Sequence, residues 1–117
     1  MIGTLRTVVL DARDARRLAA FYCALCGWTE QYADDDWITM ETGDGWRIAT
    51  QRSPDHIPPR WPDPAYPQQF HLDVTVDNVD AAEAAVLKHG ATSLSSRGEN
   101  WRVYADPAGK PFCLCWD

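Results

Sequence analysis

His71, Asp73, Cys113 and Cys115 are the residues of this chain whose types and spacing best suit chemistry. Each pair is two residues apart, and in a strand that spacing puts both side chains on one face. An imidazole exchanges its proton near neutral pH, so His71 suits a general acid or base, or a polar anchor for a ligand. The plainer alternative is a histidine held in a local hydrogen-bond network. Cys113 could serve as a reactive thiol, but nothing near it in sequence would lower its pKa. A free cysteine is also a good small core residue.

Four cysteines, at 23, 26, 113 and 115, form a CxxC and a CxC pair. Zinc would fit that composition. The topology counts against it. Cys113 and Cys115 oppose Phe112, Leu114 and Trp116, the row suited to packing under helices, whereas Cys23 and Cys26 lie on a helix. The two pairs therefore address different sides of a sheet.

Six tryptophans are the most unusual feature of the composition. Trp37, Trp46 and Trp101 lie on strands or at their ends. They could wall a cavity for an aromatic or hydrophobic ligand, or simply fill a heavy core. Arg47 shares a strand face with Ala49 and Gln51, which suits it to gripping an anionic group. A solvated edge arginine, like Arg102, is the ordinary alternative. Asp34-Asp35-Asp36 reads as a solvated turn.

These side chains need strands and helices to hold them. Residues 69–76 split with period two into an apolar row (Leu72, Val74, Val76) and a polar row (His71, Asp73, Thr75). Asp77 or Asn78 caps the helix that follows, Val79–His89, which Gly90 closes. Strands at 92–95, 101–105 and 112–116 complete the second half, with Asp106-Pro107-Ala108-Gly109 as its last turn. The first half reads the same way: a strand over Leu5–Asp11, a helix capped by Asp14 and closed by Gly27, and strands at 29–32, 37–42 and 46–51. Leu18, Phe21, Tyr22 and Leu25 recur at helical spacing on that first helix. Between the halves, residues 53–68 carry six of the eight prolines. Proline fixes φ and lacks an N–H, so this is a stiff connector. It is either a surface linker or a pocket rim or subunit arm using Trp61 and Tyr66.

Each half is βαβββ, and an offset of 64 relates them. It carries Thr7 to His71, Asp14 to Asn78, Gly45 to Gly109 and Ala49 to Cys113, slipping to 63 for Gly27 and Gly90. One such unit cannot cover both faces of its own sheet, so two copies must combine.

The 117 residues suit one compact domain, and an apolar fraction of 45% excludes a disordered chain. A net charge of −6 argues against an extended nucleic-acid or anionic-membrane surface. No apolar run approaches the roughly 20 residues needed to span a bilayer. The first residues lack the pattern of a secretion signal, so the expected location is the cytoplasm.

LRTVVLDARDARRLAAFYCALCGW, QFHLDVTVDNVDAAEAAVLKHGA and VYADPAGKPFCLCWD together resemble the vicinal oxygen chelate superfamily of glyoxalases, bleomycin-resistance proteins and dioxygenases. The resemblance covers essentially the whole chain. It implies a single α+β domain over 1–117: module one at 1–52, the Pro-rich connector at 53–68 and module two at 69–117. The two βαβββ modules would form a curved mixed sheet around a cavity, with helices outside, commonly in a homodimer. It also implies four positions for a divalent metal, here Thr7, Ala49, His71 and Cys113. Only His71 matches. Gln51, two residues on from Ala49, would add only a neutral amide. Hard ions want several carboxylates or imidazoles, and zinc wants three or four strong ligands. No cofactor is therefore expected; a metal, if held, would use His71 with Cys113.

The reading is a glyoxalase-like, metal-independent protein that binds or sequesters a hydrophobic or aromatic compound, as resistance-type relatives do. Its ligand contacts would come from Thr7, Trp37, Trp46, Arg47, Gln51, His71, Asp73, Trp101 and Cys113. The alternative is a glyoxalase-like lyase, isomerase or dioxygenase with altered metal ligation, using His71 in catalysis.

Overall fold

The computed structural model describes residues 1–117, which fall into two compact units, Met1–His56 and Ile57–Asp117. Residues 57–68 of the Pro-rich connector belong to the second unit.

The first unit runs β1 (Val8–Ala12), α1 (Ala15–Cys26), β2 (Thr29–Ala33), β3 (Trp37–Glu41) and β4 (Arg47–Arg52), in the sheet order β1-β4-β3-β2. β1 and β4 are parallel, and the other neighbours are antiparallel. The Asp14 carboxylate accepts from the Arg17 N–H at 3.0 Å, satisfying one of the free donors of the first turn of α1. Gly27 ends the helix in the left-handed region, and its N–H donates to the Cys23 carbonyl at 2.9 Å. Alternation splits the sheet. Leu10, Ala12, Ile38, Met40, Ile48 and Thr50 form the buried row. The fully buried Thr50 hydroxyl donates to the Ala15 carbonyl at 2.8 Å, so that row faces α1.

The second unit adds β5 (Leu72–Thr75), α2 (Val79–Lys88), β6 (Thr92–Arg97), β7 (Trp101–Ala105) and β8 (Pro111–Cys115), in the order β5-β8-β7-β6. Again the first and last strands pair in parallel. Asn78 caps α2 by accepting from the Ala81 N–H at 3.0 Å. Glu83 of α2 accepts from the fully buried Tyr104 and, at 3.2 Å, from Arg102, tying the helix to β7. Arg102 also reaches Asp80 at 3.0 Å and lies over the Trp116 ring, so it is a helix-facing residue and not a solvated edge. Tyr104 is held protonated, its pKa pushed up to about 12 by burial and by the Glu83 carboxylate.

Register preserves the repeat. Val9 and Thr39 flank Ala49 in the first sheet, and Asp73 and Val103 flank Cys113 in the second. Adding 64 to each of the first three positions gives the second three. The same shift turns the pair Trp37 and Gln51 into the pair Trp101 and Cys115. The architecture is α+β, two βαβββ modules each with a four-stranded mixed sheet.

Strand ends depart from the sequence-based bounds for local reasons. β5 covers only Leu72–Thr75, so His71 stands just ahead of the strand. In register its partner would be Pro111, which has no N–H to extend the ladder. β6 continues to Arg97 because a bulge absorbs extra chain: four steps from Ser93 to Arg97 oppose two from Tyr104 to Arg102.

The connector folds back on the closing hairpin of its own unit. A Cβ on Gly109 would lie 2.9 Å from the Pro58 Cβ and 3.2 Å from the Pro59 carbonyl oxygen. Gly109 and Gly45 both have positive φ, 85° and 95°, but a Cβ on Gly45 would meet open space. Gly45→Ala therefore carries backbone strain alone, about 1–2 kcal/mol. Gly109→Ala carries that strain plus displacement of the connector. Thermal denaturation should show the larger loss for Gly109→Ala. Equal losses would mean that the connector does not press on this turn.

Candidate functional site

The side of the second sheet opposite Leu72, Val74, Phe112 and Leu114 carries a cavity of about 310 Å³. Four pieces of chain build it. β5 contributes Asp73, with His71 immediately before the strand. β8 contributes Cys113, Cys115 and Pro111, all on one face by alternation. β7 contributes Trp101 and Val103, the register partners of Cys115 and Cys113. The connector supplies Trp61 and Gln68. Parallel pairing of β5 with β8 sets Asp73 beside Cys113. The His71 Nε2 lies 3.5 Å from the Asp73 Oδ1, with side chains 45% and 62% exposed. Donor atoms of His71, Asp73 and Cys113 all lie within 4.8 Å of one another.

Of the nine ligand contacts expected from the sequence, the structure brings His71, Asp73, Trp101 and Cys113 together. The other five belong to the first unit. Trp37 and Gln51 are cross-strand partners there, and the Trp37 indole N–H donates to the Thr39 Oγ1 at 2.7 Å. Arg47 is exposed opposite Glu41, Trp46 is exposed just before β4, and Thr7 is half-buried just before β1. The residues not among the expected ligand contacts are Trp61, Gln68, Val103, Pro111 and Cys115. Trp61 had a signal, an aromatic in a stiff proline-rich segment; Gln68 had none. Val103 was findable by alternation, two residues on from Trp101 on the same face of its strand. Tyr66, by contrast, packs under the Arg60 guanidinium, 4.4 Å from its ring centre. Cys23 and Cys26 lie on α1, and all four cysteines are free thiols.

A family model described as a glyoxalase-like domain matches residues 7–115. No curated protein matches the chain. A glyoxalase/bleomycin resistance protein/dioxygenase family enzyme from Burkholderia phytofirmans PsJN is similar in structure, with a TM-score of 0.75 and 20% identity over 97% of this chain and 98% of that one. The fosfomycin resistance protein FosX from Mesorhizobium loti gives 0.73 at 18% identity, covering 98% of this chain and 92% of its own. FosX from Listeria monocytogenes gives 0.72 at 15%, covering 100% and 95%. At such identities these likenesses concern the fold.

The four metal positions implied by the resemblance do not make a donor set here. Ala49 has no donor and is fully buried, and Thr7 offers a neutral hydroxyl. The remaining thiol holds its proton firmly. Burial, then the Asp73 charge and its hydrogen bond with the thiol, push the Cys113 pKa up to about 12. Burial and Asp73 raise that of Cys115 as well. Cys113 is thus a neutral hydrogen-bonding group of the cavity wall. Alkylation by iodoacetamide, resolved by site in a mass spectrometer, should be slow at Cys113 at pH 8 and keep rising through pH 10 without a plateau. Asp73→Asn removes the charge but not the burial, and should speed it several-fold. A plateau near pH 8 would show an activated thiolate instead.

Proposed function

The chain belongs to the glyoxalase-like domain family, and from that premise we propose that its second unit binds a compact aromatic or apolar compound without help from a metal ion. The observation that carries this reading is the composition of the cavity. Trp61, Trp101, Val103 and Pro111 supply apolar and aromatic wall, while His71, Asp73 and Gln68 supply a small number of polar groups. That mixture typifies small-molecule sites, in which apolar wall supplies affinity and a few polar groups fix orientation. A volume of about 310 Å³ sits at the small end of such sites. The donor set supports metal independence: Ala49 offers no ligand atom and Thr7 only a neutral hydroxyl. Fosfomycin resistance proteins share the fold. A protein that protects by sequestering its compound needs only a fitting cavity, and that is the role assigned here.

One observation favours a second reading, a lyase, isomerase or dioxygenase with altered ligation. His71, Asp73 and Cys113 offer an imidazole, a carboxylate and a thiol within 4.8 Å, and three protein ligands are what an open zinc site uses.

One preparation separates the two. Protein purified without added ions is assayed for zinc, then dialysed against EDTA and titrated with 3-phenylpropanol while tryptophan fluorescence is followed. Saturable quenching is expected, with about tenfold weaker binding in Trp101→Ala. Stoichiometric zinc that survives purification and is lost in His71→Ala would favour the enzyme. Absence of any saturable signal would remove the binding role.

A further inference from the structure

The charges around the second unit's cavity are one-sided. Asp73 is the single carboxylate among its lining residues, and none of them is Lys or Arg. Cys113 and Cys115, which share that wall, are free thiols. The Asp73 side chain is 62% exposed, so its charge is not heavily desolvated and stays available to a ligand. Trp61 and Trp101 line the same space, and an indole face is the strongest aromatic partner for a cation.

A cation entering this cavity meets the Asp73 carboxylate, able to accept a charge-assisted hydrogen bond, and two indole side chains that line the same space. An anion gains from neither and meets Asp73 as a like charge. We propose that the cavity selects a compact aromatic compound bearing a protonated amine, with Asp73 as its counter-ion and the indoles of Trp61 and Trp101 as its walls. This rests on the small-molecule reading above and adds the ligand's charge to it. His71 is the one group placed to compete. Its Nε2 lies 3.5 Å from the Asp73 Oδ1, within reach of the same carboxylate.

The test is calorimetric titration of the full chain at pH 8 and low salt with three compounds matched in size: 3-phenylpropylamine, 3-phenylpropanol and 3-phenylpropionate. The amine should bind about tenfold tighter than the alcohol, and the carboxylate weakest of all. Asp73→Asn should erase the difference between amine and alcohol. In the unaltered protein, added salt should shrink that difference, because the pair is partly exposed; this second measurement holds even if the variant folds poorly. An amine no tighter than the alcohol, or a preference that survives both Asp73→Asn and salt, overturns the proposal while alcohol binding upholds the small-molecule role. Failure of all three compounds to bind removes both.

Discussion

Parallel pairing between the first and last strand of each unit is the constraint from which the rest follows. A parallel partner cannot be reached through a tight hairpin, so the chain must cross over before the two strands meet. In each unit the helix and two intervening strands fill that crossover, and the last strand inserts beside the first. The outcome is a fixed adjacency between residues about forty positions apart. Asp73 lies beside Cys113, as Val9 lies beside Ala49. No local sequence signal could bring such pairs together.

The two units obey this constraint identically and differ in what they hang on it. At corresponding places on the second sheet, Val9 becomes Asp73, Ala49 becomes Cys113 and Gln51 becomes Cys115, while Trp37 is kept as Trp101. The first unit thus retains an aromatic and an amide but lacks a titratable group at its central pair. At these positions the titratable groups stand on the second sheet, while the strand order is the same in both. Helix capping shows the same economy: Asp14 and Asn78 do one job with different side chains, each accepting from the N–H three residues on.

Much of this was legible in the sequence because it is local. Periodicity gave both helices and the row of residues they cover; Asp14 and Gly27 marked the ends of α1, and Asp77 or Asn78 the start of α2, where the structure selects Asn78. The offset of 64 was readable because turns and caps recur with it. What stayed hidden was non-local. The truncation of β5 depends on Pro111 standing opposite His71 across a parallel ladder. The place of Arg102 depends on Asp80 and Glu83 of α2 reaching β7 from the helix side. Gln68 gained its place in the cavity wall from the path of the connector, whose prolines advertise stiffness but not direction.

The state of Cys113 connects the charge distribution to the kind of work the cavity can do. A thiol pushed up to about 12 leaves, near pH 7.5, on the order of one thiolate in ten thousand or fewer. Nucleophilic attack by such a group would start from a vanishing population, so covalent chemistry there would need a base to remove the proton. His71 is the nearest candidate, yet its partner in space is Asp73, the same carboxylate that holds the thiol hydrogen. One carboxylate therefore organises both neighbours. It shares a hydrogen bond with the Cys113 thiol, has the His71 imidazole 3.5 Å away, and is the single carboxylate of the wall. A nucleophilic role for that thiol would have to begin with removal of its proton, and a positively charged ligand would meet Asp73 first among the lining residues.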